Sequence, residues 1–179
     1  MPKYPDDVAA LLAVANGDAR STGERGKAYE DLACLLFDGI PGIDETVRNR
    51  LNAFQAEEVD VAVSNLRHPD GLRQLPEVFL IECKNWSVPV GSIEVSYFAS
   101  RIRNRGCTFG VLIAAKGVTG NAADLTASYY EAATALKDGV RMVVITGEDI
   151  ARLTSDDDFI LLLRRRFLGS FACGTFDMS

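Results

Sequence analysis

The chain has 179 residues, 47% of them hydrophobic, which suits one domain with a substantial core and leaves two domains cramped. Its formal net charge of −6 argues against broad nonspecific affinity for nucleic acid, because that affinity comes largely from counterion release by basic side chains. A local basic track remains compatible with this total.

Cys34, Cys83, Cys107 and Cys173 are widely separated, with no CxxC pair. This spacing argues against a zinc knuckle or a dense disulfide framework and predicts free thiols in a reducing cytoplasm. Residues 1–7 lack the apolar stretch of a secretory signal, and no segment approaches the roughly 20 apolar residues of a membrane span. The expectation is therefore a cytoplasmic protein with no membrane partner.

Pro5, Asp6 and Asp7 open a short helix over residues 5–15, since proline fits a first turn and acids favour the positive helix end. Asn16-Gly17-Asp18 stops it. A longer helix is predicted over 25–38, preceded by Ser21, Thr22 and Glu24. Glu30 falls on the same side as Cys34 and Phe37, while Lys27 and Asp31 point outward and can pair with each other. Gly39, Pro41 and Gly42 end this helix. Residues 44–54 fit helical and strand spacing alike. A strand over 46–52 is preferred, because a third strand stabilises the meander that follows.

Residues 57–65 alternate, with Val59, Val61 and Val63 on one face and Glu58, Asp60, Ala62 and Ser64 on the other. His68-Pro69-Asp70-Gly71 supplies a turn, and residues 77–84 form the next strand. There Phe79, Ile81 and Cys83 face one way, and Val78, Leu80, Glu82 and Lys84 the other. A helix over 92–104, a strand over 108–114, a helix over 121–137, a strand over 141–145 and a helix over 156–167 complete the series. The pattern predicts an α/β fold with a mixed sheet flanked by helices. The apolar stretch 167–173 either packs on the domain or forms a subunit contact, making a homodimer the preferred assembly.

Strand periodicity puts Glu82 and Lys84 on one face, roughly 7 Å apart along the chain. If the two strands pair, Asp60 approaches Glu82, and the backbone carbonyl of Cys83 becomes a further hard oxygen ligand. Such carboxylates repel when empty and suit Mg²⁺, or Mn²⁺ as an alternative. An ion held there can polarise a phosphodiester and acidify a bound water, with Lys84 orienting that water or stabilising phosphoryl charge. Taken alone, this spacing recurs by chance and more often marks an ionic cluster at a sheet edge than a catalytic centre.

The Glu-Val-Asp strand of 58–60, the Glu-Cys-Lys strand of 82–84 and the upstream helix with Glu30 occur in a characteristic order. Over residues 24–115 the chain resembles the PD-(D/E)xK nucleases, in their Mrr-like and Holliday-junction-resolvase-like branch. The resemblance implies a restriction-endonuclease-like fold spanning residues 1–179 as a single domain. The helix over 5–15 and the helix plus tail over 156–179 would then be additions to its core. It also implies metal-dependent hydrolysis of DNA, often by dimers, in restriction, defence or repair. Asp60 and Glu82 would be metal ligands, Lys84 the phosphate- or water-contacting lysine, and Glu30 an accessory acid. Asp60 is reached through Glu-Val-Asp rather than Pro-Asp. The glutamine often found on the following helix is absent, leaving Ser92, Glu94 and Ser96 as polar candidates.

Arg101 and Arg105 share a helix face and are candidates to grip phosphates, with Arg48, Arg50 and Lys116 as further candidates; Arg103 points elsewhere. Their bland alternative is a solvated basic surface. Arg164-Arg165-Arg166 reads as a solvated helix end, His68 as a turn residue, and Trp86 as a cleft or packing residue. No GxxxxGK loop, dinucleotide fingerprint or GxSxG elbow is present. Two other readings compete with the enzyme: a nuclease-fold nucleic-acid-binding module without turnover, and an oligomeric scaffold.

Overall fold

A computed structural model describes residues 6–17, 20–51 and 58–178, excluding the side chain of Arg50. The elements are α1 (Asp6–Asn16), α2 (Thr22–Phe37), β1 (Ile43–Leu51), β2 (Glu58–Asn65), β3 (Val78–Lys84), α3 (Ser92–Asn104), β4 (Phe109–Ala114), α4 (Ser128–Lys137), β5 (Arg141–Thr146), α5 (Gly147–Ala151) and α6 (Asp156–Cys173). Among the described residues no helix is long and apolar enough to cross a membrane.

The strands form one five-stranded sheet in the order β1-β2-β3-β4-β5. β1, β2 and β3 make an antiparallel meander, whereas β3, β4 and β5 run parallel. Parallel neighbours need crossovers, which α3 and α4 supply. Both pack their apolar sides on Leu80, Leu112, Met142 and Val144. The opposite sheet face buries Val61, Val63, Phe79, Ile81, Val111 and Val143 against α1, α2 and α6. The mixed α/β sheet flanked by helices is the architecture expected from the sequence.

Local chemistry accounts for the helix that carries Glu30. Ser21 accepts from the Glu24 amide, and Glu24 reaches back to the Ser21 amide, a capping box that starts α2 at Thr22 rather than at residue 25. The N–H of Asp38 closes the far end on the Cys34 carbonyl. The β2–β3 connection is held by Asn65, which is 1% exposed and donates to the carbonyls of Leu72, Leu75 and Pro76 at 3.0, 3.3 and 3.1 Å. Gly71 permits the close approach there, because a Cβ would stand 1.8 Å from the Pro41 carbonyl oxygen.

Several boundaries differ from expectation. β1 begins at Ile43, settling the ambiguous stretch as strand. The predicted helix over 121–137 forms only as α4. Asn121 instead accepts the amides of Ala123 and Asp124, and Leu125 and Ala127 adopt positive φ, so local hydrogen bonding wins over helix there. The last helix continues to Cys173 and stops at Gly174, which is left-handed at φ 67°. Within the tail, Phe167 packs edge-on against Phe109, while Leu168 and Phe171 remain exposed. α5 is a helix that the apolar periodicity did not signal.

The arginine triplet also requires correction. Arg166 is 3% exposed, not solvated, and donates to Asp149 and to the Val144 carbonyl. Arg164 reaches the carbonyls of Pro69 and Gly71. Position 166 faces the sheet, and a charge there is tolerable only because Asp149 and a backbone carbonyl meet it.

Candidate active site

The candidate site lies where β2 and β3 part. Their pairing runs from Ser64 opposite Val78 to Val61 opposite Ile81, and the next residues are Asp60 and Glu82. Beyond this point the alternation no longer keeps one layer. Val59 is buried with the α3 and α4 cluster, away from Val61 and Val63, although period two predicts a shared face. Twist at the end of the ladder accounts for the change. There the Cys83 N–H donates to Oδ2 of Asp60 at 2.7 Å, so a carboxylate occupies the end of the strand pair.

Glu82 is 2% exposed and receives two cations on one oxygen. Lys84 Nζ and Arg101 Nη1 each lie 2.5 Å from its Oε1. Its other oxygen, Oε2, is buried and has no hydrogen-bond partner. An unpartnered buried carboxylate oxygen is expensive, so its retention calls for a physical account.

Burial pushes Asp60 up to about 6, and the Glu82 charge adds to the rise. The Cys83 N–H and Lys84 pull the other way, while Glu30 adds a weaker upward push. Glu30 thus lies within electrostatic reach of Asp60. The Cys83 thiol is driven well above its ordinary value by burial, and then by Asp60, Glu82 and Glu30. Its thiol is therefore a poor thiolate donor, so any ligand from this residue would have to be its backbone carbonyl. Among the described residues no three acidic, cysteine or histidine side chains converge as a ready metal cage. Two carboxylates and a carbonyl suit an ion that keeps several waters, as Mg²⁺ does.

The remaining candidates divide. Arg101 belongs to the acid–lysine cluster itself, projecting from α3 onto Glu82. Arg105 caps the C-terminus of that helix. Arg48 lies across α2, where it pairs with Asp31 and donates to Cys34 Sγ at 2.8 Å. Asp31 thus meets Arg48 rather than Lys27, a cross-element contact that helix spacing alone could not reveal. The backbone of Arg50 pairs with Val59; its side chain lies outside the described residues. Lys116 is exposed just beyond β4. Glu94 lies over Gly91 at the start of its own helix, where its charge complements the helix dipole.

Sequence reasoning missed the direct contact of Arg101 with Glu82 and the anchoring role of Asn85. The Asn85 side chain donates to the carbonyls of Ala15 and Arg25 at 2.7 and 3.2 Å, tying the end of β3 to the last turn of α1 and the first turn of α2. Its place directly after the lysine was the only available signal.

A family model described as a restriction endonuclease, that of the Mrr catalytic domain, matches residues 26–154. The chain belongs to this family. No curated protein matches the chain. The Mrr match begins inside α2 and ends before α6, so it includes Glu30, Asp60, Glu82, Lys84 and Arg101. Membership in the Mrr restriction-endonuclease family makes the chain a nuclease-type hydrolase domain with a restriction-endonuclease-like fold.

Proposed function

We propose that the chain is a divalent-cation-dependent endodeoxyribonuclease that hydrolyses DNA phosphodiester bonds. The observation carrying this reading is Oε2 of Glu82, which is buried and unpartnered near Asp60, an acid raised first by burial and then by that same Glu82. An ionic cluster that served packing alone would gain by satisfying every buried oxygen. A cation-binding carboxylate pair has reason to leave one oxygen unpartnered for the ion.

Asp60, Glu82 and the Cys83 carbonyl would hold Mg²⁺, with Mn²⁺ acceptable to the same hard oxygen set. The cation supplies Lewis-acid polarisation of a phosphoryl oxygen and acidification of water. Lys84 holds Glu82 in place and offers its ammonium to phosphoryl charge. Arg101 braces the same carboxylate from α3 and keeps the acid pair from carrying two uncompensated charges. Glu30 acts through water at the edge of the cluster. The free thiols of Cys34, Cys83, Cys107 and Cys173 fit a cytoplasmic setting in defence or repair.

Cleavage of duplex, branched and single-stranded DNA, followed with and without Mg²⁺ or Mn²⁺, tests this function. Glu82→Ala and Lys84→Ala should each lower cleavage about 100-fold or more, with the fold retained by circular dichroism. A wild-type chain that cuts none of these DNAs with either cation would sink the enzyme reading.

A further inference from the structure

Directly beyond Lys84 lies a cavity that the acid–lysine cluster does not use. Its volume is about 630 Å³, and its lining includes Arg25, Asn85, Trp86, Lys116, Thr146 and Glu148. It sits at the carboxyl ends of the three parallel strands, which finish at Lys84, Ala114 and Thr146. That edge is where open α/β sheets gather ligands.

The walls are fixed in advance. Asn85 ties one side to Ala15 and Arg25. The loop carrying Trp86 is pinned at Val90, which bridges to Val118 and exchanges backbone hydrogen bonds with Gly117 and Thr119 at 2.8 and 2.9 Å. A preformed cavity of several hundred cubic ångströms accommodates a ligand the size of one nucleotide.

Its chemistry also suits a nucleotide. Trp86 is 40% exposed and offers a flat aromatic face. Lys116 is an exposed cation with no ion-pair partner among the described residues, and Arg25, whose Nε donates to the Ala15 carbonyl at 3.1 Å, adds a second positive group. By contrast, the cations around the acid cluster are committed. Lys84 and Arg101 hold Glu82, Arg48 holds Asp31, and Arg103 holds Asp138 at 2.8 Å. With a net charge of −6, the chain has little left to grip both backbones of a duplex. Base stacking would have to carry much of the affinity, and it can, because each base offers a π face to an aromatic ring.

We propose that this cavity receives one unpaired nucleotide of the strand being cut, its base against Trp86 and its phosphate toward Lys116 and Arg25. The preferred substrate is then single-stranded or locally unpaired DNA, since a base inside a duplex must first leave its stack. The substrate assignment rests on the nuclease reading; occupation of the cavity does not.

Trp86 is the sole tryptophan of the chain, so its fluorescence reports the cavity directly. The wild-type protein is titrated with a single strand of about eight nucleotides and with a blunt duplex of the same sequence, both in chelator so that nothing is cut. The single strand should change Trp86 emission saturably, with binding about tenfold or more tighter than that of the duplex. Lys116→Ala should weaken the single-strand titration several-fold. Trp86→Ala should weaken binding of a labelled strand about tenfold by fluorescence anisotropy. A silent Trp86, equal response to duplex, or indifference to Lys116→Ala overturns the cavity assignment even if the chain cuts DNA. A full response in a chain that cuts nothing retains the cavity and removes the nuclease.

Discussion

Asp60 separates a cation-binding acid from a packing acid by the way its charge depends on pH. Its native value of about 6 stands above the ordinary 3.8, with burial the larger cause and Glu82 the next. Between those values the folded chain holds a proton that the unfolded chain has released. The resulting stabilisation is complete below about pH 4 and is lost as pH rises through about 6. The cation-free wild type should therefore be more stable at pH 5 than at pH 7, by on the order of 1 kcal/mol from this group. Asp60→Asn should flatten that difference in denaturant midpoints while still accepting the Cys83 N–H. Added Mg²⁺ should raise the wild-type midpoint at pH 7 and not that of the variant. A wild type whose cation-free stability rises from pH 5 to 7 would contradict this account of Asp60. At this scale much was legible: alternation put Glu82 and Lys84 on one face, and strand pairing brought Asp60 beside them. The role of Arg101 was not legible, because the distance from α3 to β3 depends on how a crossover helix settles on the sheet.

Elements were legible where one period dominated and obscure where local bonding competed. α3, β3 and β2 from Val61 onward follow their apolar spacing, whereas Asn121 captured amides that a longer α4 would have used. The run of three arginines misled because charge alone does not tell which side of a helix meets the sheet. In α6 the inward member is Arg166, paired with Asp149 at 3.1 Å from the start of α5. Truncating it would leave the Asp149 carboxylate with only the Thr146 N–H and no counter-charge, and would empty the space against β5. Arg166→Ala should cost about 3 kcal/mol in denaturant unfolding. Asp149→Ala made in the same background should add less than it costs alone, since the two act as a unit. Full additivity in that double-mutant cycle would show that the pair does not hold α5 to α6.

For the whole molecule, the mixed sheet followed from the change in sequence from a strand meander to alternating helices and strands. The reach of α6 did not, because no local pattern announces a contact across most of a chain. Arg164 bridges sequence separations of 95 and 93 residues to the carbonyls of Pro69 and Gly71. The strand order β1-β2-β3-β4-β5 gives this bridge a kinetic meaning. Every strand pairs with its predecessor, so a chain leaving the ribosome can add each strand to an edge already made. α6 emerges after all five strands and fastens back onto the turn between β2 and β3. Such a late-formed latch should govern escape from the native state more than arrival at it. Arg164→Ala should accelerate unfolding several-fold in stopped-flow chevrons and leave the refolding limb nearly unchanged. Slowed refolding would instead place the latch in the folding nucleus. By this order of assembly, the acid–lysine meander takes shape before the helix that locks it has been synthesised.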